Sequence, residues 1–516
     1  MYEEKVNAEQ SCGTASVEAA HEKSYIEKTS GLKLPEYIGY ALGDVGCCLV
    51  FGLVTSLLQK FYTDIFQLNA VFIMVMMIVA RLWDAINDPI MGAIADRTKP
   101  GKSGKYRRWM LWAGMPLAIS SVLMFAKWPG IGDKPDDVGT MVYATATYIM
   151  FGMSYTMAQI PYGSLANVMV SDEKERNKLS TFRSIGAGIG SMPVMIIASF
   201  CYKDMVDANG VKIIGENGKA IQEMQYLPII IGAAVLAVGM LISYFLSYKL
   251  TRERIIPATP PKRKKGEMSK ILKAYLGNRA FMAISVVSML FLSAQMFTSS
   301  YNLYLFADFF GYGWLNLINV IATYLPIVVI MFFVQPLVNK FGKSEVSTVG
   351  MFASAAACLV MFLCKPLMPN AWWLFVILSF LNGVGQAFIT IQVWSLIATA
   401  IDDVEVKTGV KESGIAYASF MFFRKIGQMI AAIAINGALL GMKYKTFKGA
   451  VQTPETLSTM YILATIIPAA LFLAQALMLA FWNPLTKKAV LELQKQKEEV
   501  LKQKHENKEI ILNTED

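Results

Sequence analysis

Asp84 and Asp88 stand one helical turn apart in 81-RLWDAINDPIMGAIADRTK-99, with Arg81 three residues before the first of them and Asn87 between them. Residues at i and i+4 share a helix face. Two carboxylates this close resist joint ionisation unless a cation lies between them or a proton is shared. That is the chemistry of a monovalent-cation or proton site. The competing reading is an internal Arg81–carboxylate pair that only holds helices together. Asn87 adds an amide, and Pro89 interrupts the helical bonding in a way that frees a carbonyl for coordination. The segment continues an apolar run, 70-AVFIMVMMIVA-80, so these ionisable groups fall where the pattern says hydrocarbon.

Other polar residues interrupt apolar runs at a similar level. Counted from the cytoplasmic end of each span at 1.5 Å per residue, Asp44 lies about 15 Å deep, Asp88 and Asp84 about 13 and 20 Å, and Gln159 and Lys425 near 16 Å. An ionised group at the bilayer centre costs about 2.5–3.5 kcal/mol, so such residues normally face a cavity or a partner. Their agreement in depth predicts one shared site. In 155-YTMAQIPYGSLAN-167, Tyr155, Gln159 and Tyr162 fall on one face and offer rings and an amide suited to polyol hydroxyls, with packing as the competing role. Lys425 is positioned to counter the carboxylates or to hold a substrate hydroxyl or carboxylate. Its neighbour Arg424 points about 100° away, so at most one of the two faces the cavity squarely. Arg183 opens the fifth span, where it either binds substrate or snorkels. Trp394 completes the expected substrate set. Nearer the cytoplasm, Asp96, Arg97, Lys105 and Arg107 form a basic turn that serves topology or gates the halves.

The elements that position these residues are read from composition. The chain has 516 residues, of which 55% are hydrophobic and only 17% charged. Apolar runs of about 20 residues, the length a bilayer requires, recur throughout. We expect an all-α membrane protein with twelve spans, the first at 36–62 and the last at 457–482, the fifth at 180–201 and the tenth at 371–399. The 2–3 turn, RTKPGKSGKYRR, and the PPKRKK linker are strongly basic, which places both termini in the cytoplasm. The layout is a polar tail (1–35), a six-helix half (36–250), a basic linker (251–279), a second six-helix half (280–482) and a charged tail (483–516). The endings GAIADRTKPGKSGKYR and VQPLVNKFGKSE, six spans apart, suggest an internal repeat. The C-terminal tail reads as a solvated or interface-lying helix, with partner binding as the alternative. The six cysteines show no metal-ligand spacing, and both histidines, His21 and His505, lie in the tails. No cleavable signal begins the chain. No nucleophile–base arrangement points to an enzyme.

These residues bring a family with them. RLWDAINDPIMG followed by GKYRRW resembles the glycoside–pentoside–hexuronide:cation symporter family, of the melibiose permease type. So do GYALGDVG, FYTD, IPYGSLAN, DEKERNKLSTFR and 402-DDVEVKTGVKESGIAYASFMFFRK-425. The resemblance implies a major facilitator fold with its site between the halves. It also implies sugar uptake driven by Na⁺, Li⁺ or H⁺, with no cofactor. The partners are a sugar, a monovalent cation and the lipid bilayer; no nucleic acid is involved, and the protein works as a monomer. Carried over, Asp84 and Asp88 are the cation carboxylates, Thr156 is the cation-site threonine and Lys425 is the helix 11 lysine. Where the melibiose permease type has a sugar-binding aspartate on helix 1, this chain has Cys48, with Asp44 one turn away. The helix 4 carboxylate becomes Gln159, a sugar-site tryptophan becomes Gly163, and the helix 5 arginine aligns with Arg183 or Ser184. The sugar pocket therefore differs, and the cation site has lost one negative charge. The alternatives are a transporter of another substrate class, such as a lysolipid, and a membrane sensor that does not transport.

Overall fold

The computed structural model describes residues 31–98, 101, 104–170, 173–207, 209, 211–214, 220–254, 267–368, 371–409, 413–445, 451–496 and 499. Most of the N-terminal tail, much of the linker and 500–516 lie outside them. The described residues build twelve long helices. The first six are α1 Leu34–Asp64, α2 Ala70–Arg97, α3 Arg107–Leu123, α4 Val138–Met169, α5 Glu173–Phe200 and α6 Tyr226–Leu250. A short linker helix, Glu267–Gly277, leads to α7 Arg279–Phe309, α8 Leu315–Phe341, α9 Lys343–Leu363, α10 Trp372–Thr408, α11 Ser413–Gly441 and α12 Pro454–Trp482. Ten of them are long and apolar enough to cross a membrane. The other two are α3, 17 residues long, and α4, whose Thr, Tyr, Gln and Gly content dilutes its hydropathy.

Local chemistry sets the ends. Asn69, Asp137, Asn278 and Thr453 each accept a bond from a backbone N–H three residues on, at 2.8–3.2 Å, and so cap α2, α4, α7 and α12. Two helices outrun the hydropathy pattern. α5 starts at Glu173 rather than 180, and α10 runs to Thr408 rather than 399. A helix satisfies its own backbone and continues past the hydrocarbon until something stops it. In α10 the stop is Gly409 at φ 69°, whose N–H bonds Glu405 O at 2.9 Å. The all-α expectation also needs one correction. The 5–6 connection forms a hairpin, β1 Tyr202–Asp204 against β2 Gln222–Met224. The two strands satisfy each other's backbone N–H and C=O groups. Gln222 Oε1 accepts from Gly313 N at 2.9 Å and ties the hairpin to the loop after α7.

Helix contacts repeat across the chain. α1 packs on α5 as α7 packs on α11, and α2 on α4 as α8 on α10. Likewise α3 meets α4 and α6 as α9 meets α10 and α12. The close approaches rest on glycine. A Cβ at Gly186 of α5 would sit 2.4 Å from Ala41 O, and one at Gly427 of α11 would sit 2.4 Å from Met289 O of α7. Both α1 and α7 contain a π-turn towards their ends: Val54–Leu58 precedes a last α-helical turn and a half in α1, and Leu305–Phe309 closes α7. The first half buries its core around Leu53, Phe61 and Tyr244, and the second around Phe281, Ile397 and Phe472. The start of the C-terminal tail belongs to the second half rather than to solvent. Leu485 and Leu493 join its core, and Lys487 N donates to Glu345 Oε1 at 2.7 Å.

The halves are joined tightly at the end of the bundle where α1 and α7 finish. Lys60, 1% exposed, places Nζ 3.2 Å from Asp64 and from Asp308, 3.0 Å from the Tyr444 hydroxyl and 4.2 Å from the Tyr304 ring. Around it, Gln59 Nε2 donates to Asn436 Oδ1 at 2.7 Å, Thr63 meets the Tyr304 hydroxyl at 3.1 Å and Ser56 meets Ser299 at 3.2 Å. At the other end, the Glu253 carboxylate accepts the N–H groups of Lys105, Tyr106 and Arg107 at 2.7–2.8 Å, anchoring the start of α3 to the end of α6.

Removing one partner of a buried ion pair leaves the other uncompensated, so Lys60→Met should cost about 3 kcal/mol in thermal unfolding of the detergent-purified protein. Adding Asp308→Asn to that variant should recover part of the loss. Glu253→Ala, which strips three N–H groups of their acceptor, should cost about 1–2 kcal/mol by the same measurement.

Candidate functional site

The midsection of the bundle holds three clusters of polar side chains, and the first two meet adjoining strips of one face of α4. On one side, Asp84 is 5% exposed and accepts from Arg81 Nη1 at 2.8 Å, while Arg81 Nη2 reaches the Tyr148 hydroxyl of α4 at 2.7 Å. One turn on, Asp88 accepts from Thr156 Oγ1 at 3.0 Å and is in direct contact with the ammonium of Lys425, from α11. The same ammonium lies 3.9 Å from Asp84. Both residues of the Lys425–Asp88 pair keep about a fifth of their side chain exposed. α4 can come this near because Gly152 has no side chain to press on Asp84 Oδ1, which lies 3.3 Å from where a Cβ would stand. Tyr148, Gly152 and Thr156, at i, i+4 and i+8, line the face of α4 turned to α2.

The cluster balances two carboxylates against Arg81 and Lys425. Neither reading from the sequence is complete alone. An Arg81–Asp84 pair is present, and a second cation from the other half meets Asp88. Asn87 is half-buried one position before Asp88 and is not among the partners of either carboxylate. Among the described residues, no group of three or more His, Cys, Asp or Glu is arranged to hold a metal.

The adjoining strip of the same α4 face turns to α1, with Gln159 at i+3 from Thr156 and Tyr155 at i+3 from Gly152. Gln159 Oε1 accepts from Cys47 Sγ at 2.7 Å, and that thiol also meets the Tyr244 hydroxyl at 3.1 Å. Asp44, 7% exposed, pairs with Arg183 Nε at 3.3 Å. Ser184 instead bonds Ser180 O within its own helix. The Arg183 guanidinium lies 5.2 Å over the Tyr162 ring. Tyr162 is not a free hydroxyl. It stacks on Tyr40, donates to Tyr40 O at 2.7 Å and is 1% exposed, so it packs α4 on α1. Tyr155 stacks on Phe51 at 5.1 Å and stays half-buried. Cys48 is half-buried, while its neighbour Cys47 makes the contact to Gln159. Cys47 lies at i+3 from Asp44, a spacing that marks it as a member of the same face.

A third cluster belongs to the second half. Arg424 Nη1 donates to Ser288 Oγ of α7 at 2.9 Å, and its guanidinium lies 5.3 Å over Trp394 of α10. Trp394 thus carries a cation on its face. A small void of about 30 Å³, bordered by Thr55, Gln59, Arg81, Ser300 and Gln428, separates the midsection from the closed end; it has room for a water or two but not for a sugar. The expected gating residues sit apart from these clusters. Arg97 is exposed at the end of α2, Lys105 and Arg107 are tied to α6 of their own half, and the Asp96 side chain lies outside those described.

Known proteins resemble this chain over nearly its whole length. A family model described as MFS/sugar transport protein matches residues 39–487. "Uncharacterized symporter YjmB" of Bacillus subtilis is 28% identical over 474 residues, 91% of this chain and 96% of that one. A "Putative sulfoquinovose importer" of Escherichia coli is 26% identical, over 89% of this chain and 92% of its own. A "Glucuronide carrier protein homolog" of Escherichia coli is 27% identical, over 88% and 93%. Among solved structures, a D-xylose–proton symporter superposes with a TM-score of 0.58 at 14% identity, over 88% of this chain and 98% of its own. At that identity it speaks for the fold alone. The matching model, the symporter relatives and the polar clusters between two helical halves agree: this chain is a multi-pass membrane transporter that belongs to the MFS/sugar transport family, among the glycoside–pentoside–hexuronide:cation symporters.

Proposed function

We propose that the chain imports a sugar together with a monovalent cation by alternating access, with twelve membrane crossings in two six-helix halves and both termini in the cytoplasm. The observation that carries this reading is the Lys425–Asp88 contact. Asp88 belongs to the first half and Lys425 to the second, so this ion pair is a tie between the two moving bodies. A cation arriving beside Asp88, Thr156 and Asp84 takes over the work of the ammonium and releases that tie. Ion binding then changes how the halves are held, which is what coupling requires. With Gln159 in place of a third carboxylate, the site offers two negative charges. That is enough for Na⁺, Li⁺ or H⁺ against a single displaced lysine.

The sugar, in this reading, lies against Asp44, Arg183, Gln159 and Tyr155, on the α1-facing side of α4. The polar cluster around Lys60 then closes the extracellular end. The distance between cation and sugar is bridged by α4 itself, since Thr156 and Gln159 are three residues apart on one rigid helix.

Uptake of labelled sugars into proteoliposomes under imposed Na⁺, Li⁺ or H⁺ gradients tests this. One gradient should drive accumulation, and Asp88→Asn and Asp84→Asn should each lower it at least tenfold. Thr156→Val removes one oxygen donor and should weaken the ion's apparent affinity by about tenfold. Equal accumulation without any gradient, together with unchanged Asp variants, would reject coupling at these residues.

A further inference from the structure

The charges at the middle of the protein do not balance. Among the described residues, four cations gather at this level: Arg81, Arg183, Arg424 and Lys425. Three carboxylates face them, and each is taken: Asp84 by Arg81, Asp88 by Lys425 and Asp44 by Arg183. Arg424 has a different environment. Its contacts are the neutral hydroxyl of Ser288 at 2.9 Å and the faces of Trp394 and Phe420 at 5.3 and 5.9 Å. Arg183 of the first half acts on it with a charge of the same sign.

An uncompensated guanidinium within the membrane is costly, and proteins keep such groups where a counter-charge arrives. Two arginines from opposite halves, one held by a single carboxylate oxygen and the other stacked on aromatic rings, leave guanidinium N–H donors for an incoming anion. Arginine suits this role because its planar fork matches the two oxygens of a carboxylate or two of the three of a sulfonate. The aromatic platform fixes the plane of the Arg424 fork while leaving its edge open. The rings also offer an apolar surface for the carbon face of a pyranose.

We propose that Arg424 is a specificity-determining residue that recognises an acidic group on the transported sugar, so that the substrate is a sugar acid or sulfonated sugar rather than a neutral glycoside. The assignment rests on the sugar–cation symport reading above and deepens it. Substrate binding then completes the charge balance: the acid group neutralises Arg424 and bridges it to Arg183, drawing α11 towards α5. Lys425, which faces α2, is left to the cation cluster. The two adjacent cations of α11 thereby serve two different ligands.

The test compares sugar pairs that differ only in the acid: glucuronate with glucose, galacturonate with galactose, and 6-deoxy-6-sulfoglucose with glucose. Binding to the purified protein is read by calorimetry and uptake by proteoliposomes, each with the driving cation present. The acidic member should bind at least tenfold more tightly, and the sulfonate and carboxylate arms decide between the two acids. Arg424→Gln should weaken binding of the acid by roughly tenfold to a hundredfold and narrow the acid-to-neutral ratio. Arg424→Lys, which restores the charge without the fork, should recover part of that ratio, and a thermal-unfolding midpoint matching wild type confirms the folded state of each variant. A neutral sugar preferred by a protein that accumulates it normally along a cation gradient would overturn the Arg424 assignment and leave symport standing. So would an acid-to-neutral ratio unchanged in Arg424→Gln. Binding and uptake of no sugar of either kind would instead overturn the symport reading, and this inference with it.

Discussion

The bond on which the rest depends is the contact between Lys425 and Asp88. An ion pair in a low-dielectric interior is stable only while both members are present, and here the two members belong to different halves of the molecule. Neutrality and domain contact have become one event. Under the proposed alternating access, a carrier that moves its halves without leaving a bare charge in the membrane gains both from this arrangement. Arg81 does the complementary work. It holds Asp84 from within α2 through a contact that does not depend on the second half.

α4 is the element that makes two ligands readable together. One broad face of α4 carries Tyr148, Gly152 and Thr156 towards α2 and, on the adjoining strip, Tyr155, Gln159 and Tyr162 towards α1. Both strips belong to one helix, Val138–Met169, which fixes their positions relative to each other. The close packing of α5 on α1 at Gly186, and of α11 on α7 at Gly427, extends this rigidity to both halves. α1 and α7 each pass through a π-turn at the Lys60 cluster, the first carrying Ser56 and the second Asp308, and π-turns recur at functional sites.

Much of the candidate site is legible from residues alone. Charged and amide side chains in apolar runs are expensive, and that expense marked Asp44, Asp84, Asp88, Gln159 and Lys425 at one depth before any contact was known. The motifs added Thr156 and Arg183. What depth could not supply was direction around each helix axis. Cys47 rather than Cys48 reaches Gln159, Tyr162 turns into the packing, and Arg424 stands on Trp394 beside an unrelated pair. Lys60 went unmarked for a related reason. A lysine near the end of a span reads as a snorkelling surface residue, and only α7 and α11 folding over it make it 1% exposed.

The sequence by itself therefore determined the level of the site and its chemical inventory, because hydrocarbon penalises charge regardless of how helices are arranged. It also set the repeat, since apolar spans and basic turns recur along the chain. The tertiary structure decided which charges are paired and which is left over. Pairing depends on azimuth and on contacts between segments hundreds of residues apart, such as Asp88 with Lys425, and no local pattern encodes those.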